Sequence, residues 1–135
     1  MGLRFAGGIR NNFEAMKIQE LRIGNWFIGY NGKPFQWSLG HFGLLTLKKN
    51  RLEIDDIIKS PIPLTEEILL KCGFDENMVL STIEGEIRYY GDGDINIGGE
   101  DSCTLGMVYI AKCKYLHQLQ NLYFALTGKE LEVEL

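Results

Sequence analysis

Apolar and polar positions follow a period of two in two stretches of this chain and a helical period in two others. The first β-type stretch opens at Leu21. Leu21, Ile23, Trp26 and Ile28 are strand-type residues, and Gly24-Asn25 between them predicts a bulge or bend. Asn31-Gly32 follows. Both residues accept positive φ, which predicts a two-residue hairpin. Phe35, Trp37 and Leu39 then alternate with Gln36 and Ser38, so one face is expected to be buried. Gly40 and Gly43 flank His41-Phe42 at a further bend. Leu44 to Leu47 is an apolar run, Lys48-Lys49-Asn50 is a polar turn, and Leu52 to Ile54 reads as another short strand. Short strands with close turns predict a meander or an SH3-like, half-open barrel.

Pro61-Ile62-Pro63 ends this region, because proline lacks a ladder donor and holds its predecessor extended. A short helix is expected over Thr65–Cys72. Thr65 is placed to cap it, Glu66 and Glu67 favour its N-terminal dipole, and Gly73 is placed to close it. Leu64 packing on Leu69 would form a hydrophobic staple. The second β region is expected over Met78–Ile83, Glu86–Tyr90, Asp94–Ile97 and Leu105–Cys113, with turns at Glu84-Gly85 and Gly91-Asp92-Gly93. A longer helix is expected over Tyr115–Thr127. At 100° per residue, Leu116, Leu119, Leu122, Tyr123 and Leu126 fill one arc of about 120°, the width of a core-facing stripe. Leu131, Val133 and Leu135 alternate with Glu132 and Glu134, as in a short edge strand. The fold class read from these patterns is α+β: two small antiparallel β regions, a short central helix and a longer amphipathic C-terminal helix. Residues 16–135 are expected to form one domain. Residues 1–15, rich in Gly and Asn without a period, read as an extension: a flexible arm, or the product of an upstream start codon.

At 135 residues the chain is long enough to bury a core. Its net charge of −4 argues against general binding to nucleic acid or to anionic membrane, which need Lys and Arg in excess. No apolar run approaches the ~20 residues that span a bilayer, and the N-terminus lacks the apolar core of a secretory signal, so a cytoplasmic location is expected. Cys72, Cys103 and Cys113 are odd in number and widely spaced, as buried free thiols are.

Three phrases carry a family resemblance: Gln19-Glu20-Leu21-Arg22-Ile23-Gly24-Asn25-Trp26, then Ile62-Pro63-Leu64-Thr65-Glu66-Glu67-Ile68-Leu69 running to Gly73-Phe74, then residues 115–128, from Tyr115-Leu116-His117-Gln118 to Ala125-Leu126-Thr127-Gly128. In them the chain resembles a family of short uncharacterised proteins of gut Bacteroidales-type bacteria, their prophages and mobile elements. The resemblance implies a phage or mobile-element origin and no particular activity. It also implies a reading frame starting near Met16, which makes residues 1–15 a departure.

Few residues suggest chemistry. Asp92, Asp94 and Asn96, followed by Glu100 and Asp101, offer hard oxygens of the kind Ca²⁺ takes. Counted from Asp92, however, the sixth position is Ile97 where glycine is needed, and the twelfth is Cys103 where a bidentate Glu is needed. A solvated hairpin turn accounts for these residues equally well. Cys113 and His117 could form a nucleophile pair, but nothing local orients either, so a structural role is favoured. His41, between two glycines, reads as turn chemistry. Lys48, Lys49, Arg51, Lys112 and Lys114 are too sparse for a nucleic-acid groove. No cofactor is expected.

The C-terminal helix is the stronger lead. Opposite its apolar stripe lie His117, Gln118, Gln120 and Asn121, with Phe124 off the stripe and no formal charge. A face without charges and with an aromatic suits a protein contact. Cover by the chain itself is the alternative. The leading expectation is a non-catalytic protein-interaction module, self-association included. The rivals are a nucleic-acid-associated module and a metal-dependent enzyme using the Asp92–Asp101 loop.

Overall fold

A computed structural model describes residues 16–46, 52–83, 85–98 and 108–135. The chain divides into two compact units, Met1–Pro61 and Ile62–Leu135. Each carries one small antiparallel sheet and at least one helix, so the α+β class holds.

In the first unit a 3₁₀ turn (Ile18–Glu20) precedes β1 (Trp26–Ile28) and β2 (Pro34–Gln36). Two helices follow, α1 (Leu39–Thr46) and α2 (Ile54–Ile57), and then β3 (Ser60–Pro61). The sheet order is β2-β1-β3. The β1–β2 hairpin forms where Asn31-Gly32 predicts one, but its loop has three residues. Gly29 N–H donates to the Lys33 carbonyl at 2.9 Å, and Gly32 N–H donates back to the Gly29 carbonyl at 3.0 Å. Only Gly32 takes positive φ, at +79°. The turn is therefore a type I turn closed by a left-handed residue, which any residue at Asn31 can enter.

The strand register differs from the one read in sequence. Phe27 is fully buried, while Trp26 and Ile28 are half-buried and Ile23 is exposed. The reason is that Gly24-Asn25 forms a bend, in which Asn25 Oδ1 accepts Arg22 N–H at 2.8 Å, and not a bulge that shifts the parity: Leu21, Asn25 and Phe27 are all buried. Leu39, expected on the buried face, is exposed because β2 ends at Gln36 and Leu39 starts a helix.

That helix is the main departure. The apolar run from Leu44 and the segment Leu52–Ile54, read as β, lie in or at the start of α1 and α2. Their apolar residues work at a spacing of three: Phe42 with Leu45 and Ile54 with Ile57 pack on the core of Leu21, Phe27, Trp37 and Ile58. Each helix also has a cap that the strand reading overlooked. Ser38 N–H donates to His41 Nδ1 at 3.0 Å, and Glu53 N–H donates to Asp56 Oδ2 at 2.7 Å. Both are capping boxes with an unusual residue in the third position. His41 also stacks on Trp37, with ring centroids 5.0 Å apart. Burying Phe27 alone contributes about 2–3 kcal/mol.

The second unit begins with α3 (Glu66–Lys71). Thr65 Oγ1 accepts Ile68 N–H at 3.2 Å, as its capping position predicts. At the other end Phe74 N–H reaches the Leu69 carbonyl and Gly73 N–H the Leu70 carbonyl, both at 3.1 Å. This pair of bonds is a Schellman closure. Four strands follow in the order β4 (Val79–Thr82), β5 (Gly85–Tyr89), β6 (Asp94–Gly98) and β7 (Val108–Lys112). Their register sorts the side chains cleanly. Leu80, Ile87, Tyr89, Ile95, Ile97, Val108 and Ala111 share one face. Ser81, Glu86, Arg88, Asp94, Asn96 and Lys112 share the other, with Val79 and Tyr109. Ile87 and Ile95 lie buried at the centre of the apolar face.

The β5–β6 turn repeats the design of the first hairpin. Tyr90 N–H donates to the Asp94 carbonyl at 2.9 Å and Gly93 N–H to the Tyr90 carbonyl at 2.8 Å, with Gly93 at φ +102°. The turn between α3 and β4 is built alike, from Asp75 to Val79, and places Met78 in the left-handed position at φ +63°. The chain ends with α4 (Leu116–Thr127). The tail beyond it is not the edge strand expected. Leu131 is buried, and Glu134 N–H donates to the Lys71 carbonyl at 3.1 Å, at the C-terminus of α3. A helix end offers unpaired carbonyls and no ladder to extend.

The two hairpin glycines are expected to differ on substitution. A Cβ at Gly32 meets nothing within 4 Å, whereas one at Gly93 would lie 3.1 Å from the Cys113 carbonyl oxygen. Gly32→Ala should cost about 1 kcal/mol, the left-handed penalty alone, and Gly93→Ala at least about 2 kcal/mol. Urea unfolding of both variants measures the difference, and equal losses would contradict the turn assignment.

Candidate functional site

The helix face singled out in sequence divides in the structure. His117 and Gln120 are buried, at 1% and 3% exposure. The His117 ring stacks parallel to that of Tyr115, with centroids 6.1 Å apart. Gln118 is engaged at the helix entry, where its Oε1 accepts Lys114 N–H at 2.8 Å and Tyr115 N–H at 3.1 Å. Asn121 is half-buried, and Phe124 is exposed. Leu116 and Leu119 on the predicted stripe are buried too, so the first turns of α4 are covered on both faces. Of the five residues, Phe124 is the one that presents a large apolar surface to solvent.

The acidic loop is a hairpin turn. Asp92 Oδ1 accepts Asp94 N–H at 3.1 Å, and this bond, above all, holds the Asp92 carboxyl below its ordinary range. Asp94 Oδ1 is 3.1 Å from Lys112 Nζ, which also donates to the Asp92 carbonyl at 3.3 Å. The pairing with Asp94 raises the Lys112 pKa. A lysine among the supposed ligands competes directly with a cation. Asn96 lies within β6 opposite Arg88, on the polar face. Among the described residues no group of three or more His, Cys, Asp or Glu is placed to hold a metal ion. Glu100, Asp101, Cys103, Lys48, Lys49 and Arg51 lie outside the described residues.

Burial also acts on the two described thiols. Desolvation pushes Cys113 up to about 11 and Cys72 up to about 12. A nucleophile paired with His117 would need the opposite shift, because the thiolate is the reactive form. His41 is occupied in capping α1, with Ser38 Oγ 2.9 Å from its Nδ1.

An exposed apolar run on a regular element was not identified in sequence. It is β7, at one edge of the second sheet, where Val108, Tyr109 and Ile110 are 60%, 55% and 37% exposed. Among the described residues β7 pairs with β6 alone. Asn96 pairs with Tyr109 and Ile95 with Ala111, so Ile110 is the extra residue of a bulge. The extra residue interrupts the alternation between Tyr109 and Ala111, which strict alternation along Leu105–Cys113 does not anticipate. No helix among the described residues is long and apolar enough to cross a membrane. No protein-family model, curated protein or solved structure matches this chain.

Two outcomes test this account. Removing the Gln118 carbonyl in Gln118→Ala leaves two backbone donors at the α4 entry without it and should cost about 1 kcal/mol in urea unfolding. Cys72 and Cys113 should resist iodoacetamide at pH 8 in the native protein and react once urea unfolds it, as read by peptide mass spectrometry. Native labelling of Cys113 would contradict its burial.

Proposed function

We propose that this chain is a non-catalytic protein-interaction module that docks through the β7 edge. The observation that carries the reading is the run of three exposed apolar residues, Val108, Tyr109 and Ile110, on an edge strand. An edge strand offers main-chain donors and acceptors to an incoming strand, and its side chains add selectivity. Aromatic and aliphatic residues without charges are the composition of interface centres. Phe124 on α4 and Tyr90 are further exposed aromatics of the same unit.

The partner is read as a different protein rather than a second copy, because two copies would each bring a net charge of −4. The family resemblance supports a phage or mobile-element origin, and the free thiols of Cys72 and Cys113 suit a reducing, cytoplasmic site of action. The metal-dependent reading loses support from Lys112, which pairs with Asp94 inside the acidic turn.

The double variant Tyr109→Lys/Ile110→Lys tests the proposal. It should lose the protein captured by the wild-type chain from native host cells, with Tm shifted by less than about 4 °C. Light scattering of the isolated chain should give a monomer. Undiminished capture by the double variant would overturn the β7 assignment.

A further inference from the structure

The residues after α4 run back across the end of α3. Leu131 is buried, and Glu134 N–H donates to the Lys71 carbonyl at 3.1 Å, so this tail is fastened to the helix. Between the two lies an open groove of about 660 Å³. Leu70, Cys72 and Gly73 contribute its apolar lining, and Leu70 is 50% exposed. Carboxylates stand on both sides, Glu67 on α3 and Glu132 and Glu134 on the tail. The single cation of the lining, Lys71, sits 3.5 Å from Glu67. Three carboxylates against one ammonium leave the groove at a net −2.

An apolar floor between anionic rims selects its occupant by charge. Lysine and arginine combine an aliphatic stem with a charged end, so the stem can lie on Leu70 while the end reaches the carboxylates. We infer that this groove takes a basic segment of a partner protein, one carrying Lys or Arg among aliphatic residues. A second copy of this chain is disfavoured, since each copy carries a net charge of −4. Nucleic acid is disfavoured by the same sign. The inference rests on the interaction-module reading, but it uses residues separate from β7.

The test is fluorescence anisotropy of the full chain with a labelled peptide of alternating Leu and Arg, set against the same peptide with Glu for Arg. The basic peptide should bind and the acidic one should not. Glu132→Gln/Glu134→Gln should weaken binding about tenfold, and the charge-matched control Glu76→Gln/Glu86→Gln by less than about twofold. Leu70→Ser should also weaken binding while leaving its salt dependence unchanged, because it removes the floor and no charge. Unfolding curves confirm that each variant is folded. Equal losses in the two Glu→Gln pairs would reduce the effect to net charge and overturn the inference, as would equal binding of the acidic peptide. Tyr109→Lys/Ile110→Lys should leave peptide binding intact, so that failure at β7 and failure at the groove are read separately.

Discussion

Leu64 N–H donates to the Lys114 carbonyl at 2.9 Å, and Leu116 N–H donates to the Ile62 carbonyl at 2.8 Å. This pair of bonds, around the bridge between Pro63 and Tyr115, holds the entries of α3 and α4 side by side. The second unit depends on it. One side of the clip leads directly into the Thr65 cap and the other into the α4 entry that Gln118 caps. Just before Lys114, Cys113 N–H donates to the Gly93 carbonyl at 2.8 Å, so the clip is continuous with the end of β7 and the β5–β6 turn. Two prolines flanking Ile62 suit this place, because an isolated bridge needs few donors and an extended backbone.

The edge exposed at β7 follows from how the sheet is filled. Ile87 and Ile95 occupy the middle of the apolar face on the two central strands. β7 stands outermost, with Val108 on the face of Ile97 and Tyr109 on the face of Asn96, and its bulge at Ile110 interrupts the alternation before Ala111. The opposite face is closed by ion pairs along the surface, Lys112 with Asp94 and Arg88 with Glu86. The interaction proposals rest on what this leaves over: an apolar edge strand and, near the α3 terminus, a groove with acidic rims.

Local signals in the sequence were strong enough to determine α3 from cap to closure. Thr65, the two glutamates and Gly73 act within a few residues of one another, so no distant contact was needed to read them. The α4 stripe and the Asn31-Gly32 and Asp92-Gly93 turns were legible for the same reason. In contrast, α1 and α2 were decided by tertiary packing. Leu39-Gly40-His41-Phe42-Gly43 has poor helix propensity, and the caps of α1 and α2 use His41 and Asp56, respectively, in place of the usual glutamate. What selects the helix is Phe42 and Leu45 reaching a core whose members, Leu21, Phe27, Trp37 and Ile58, are spread along the first unit.

The candidate site divides along the same line. Sequence alone established an uncharged outer face on α4, because helical periodicity places those residues together regardless of context. Only the tertiary structure decided which of them see solvent, since burial of His117 and Gln120 depends on what else the fold brings near. It also decided the exposure of Val108, Tyr109 and Ile110. Strand order and a one-residue bulge are set by pairing with β6, and pairing partners are not written in the strand itself.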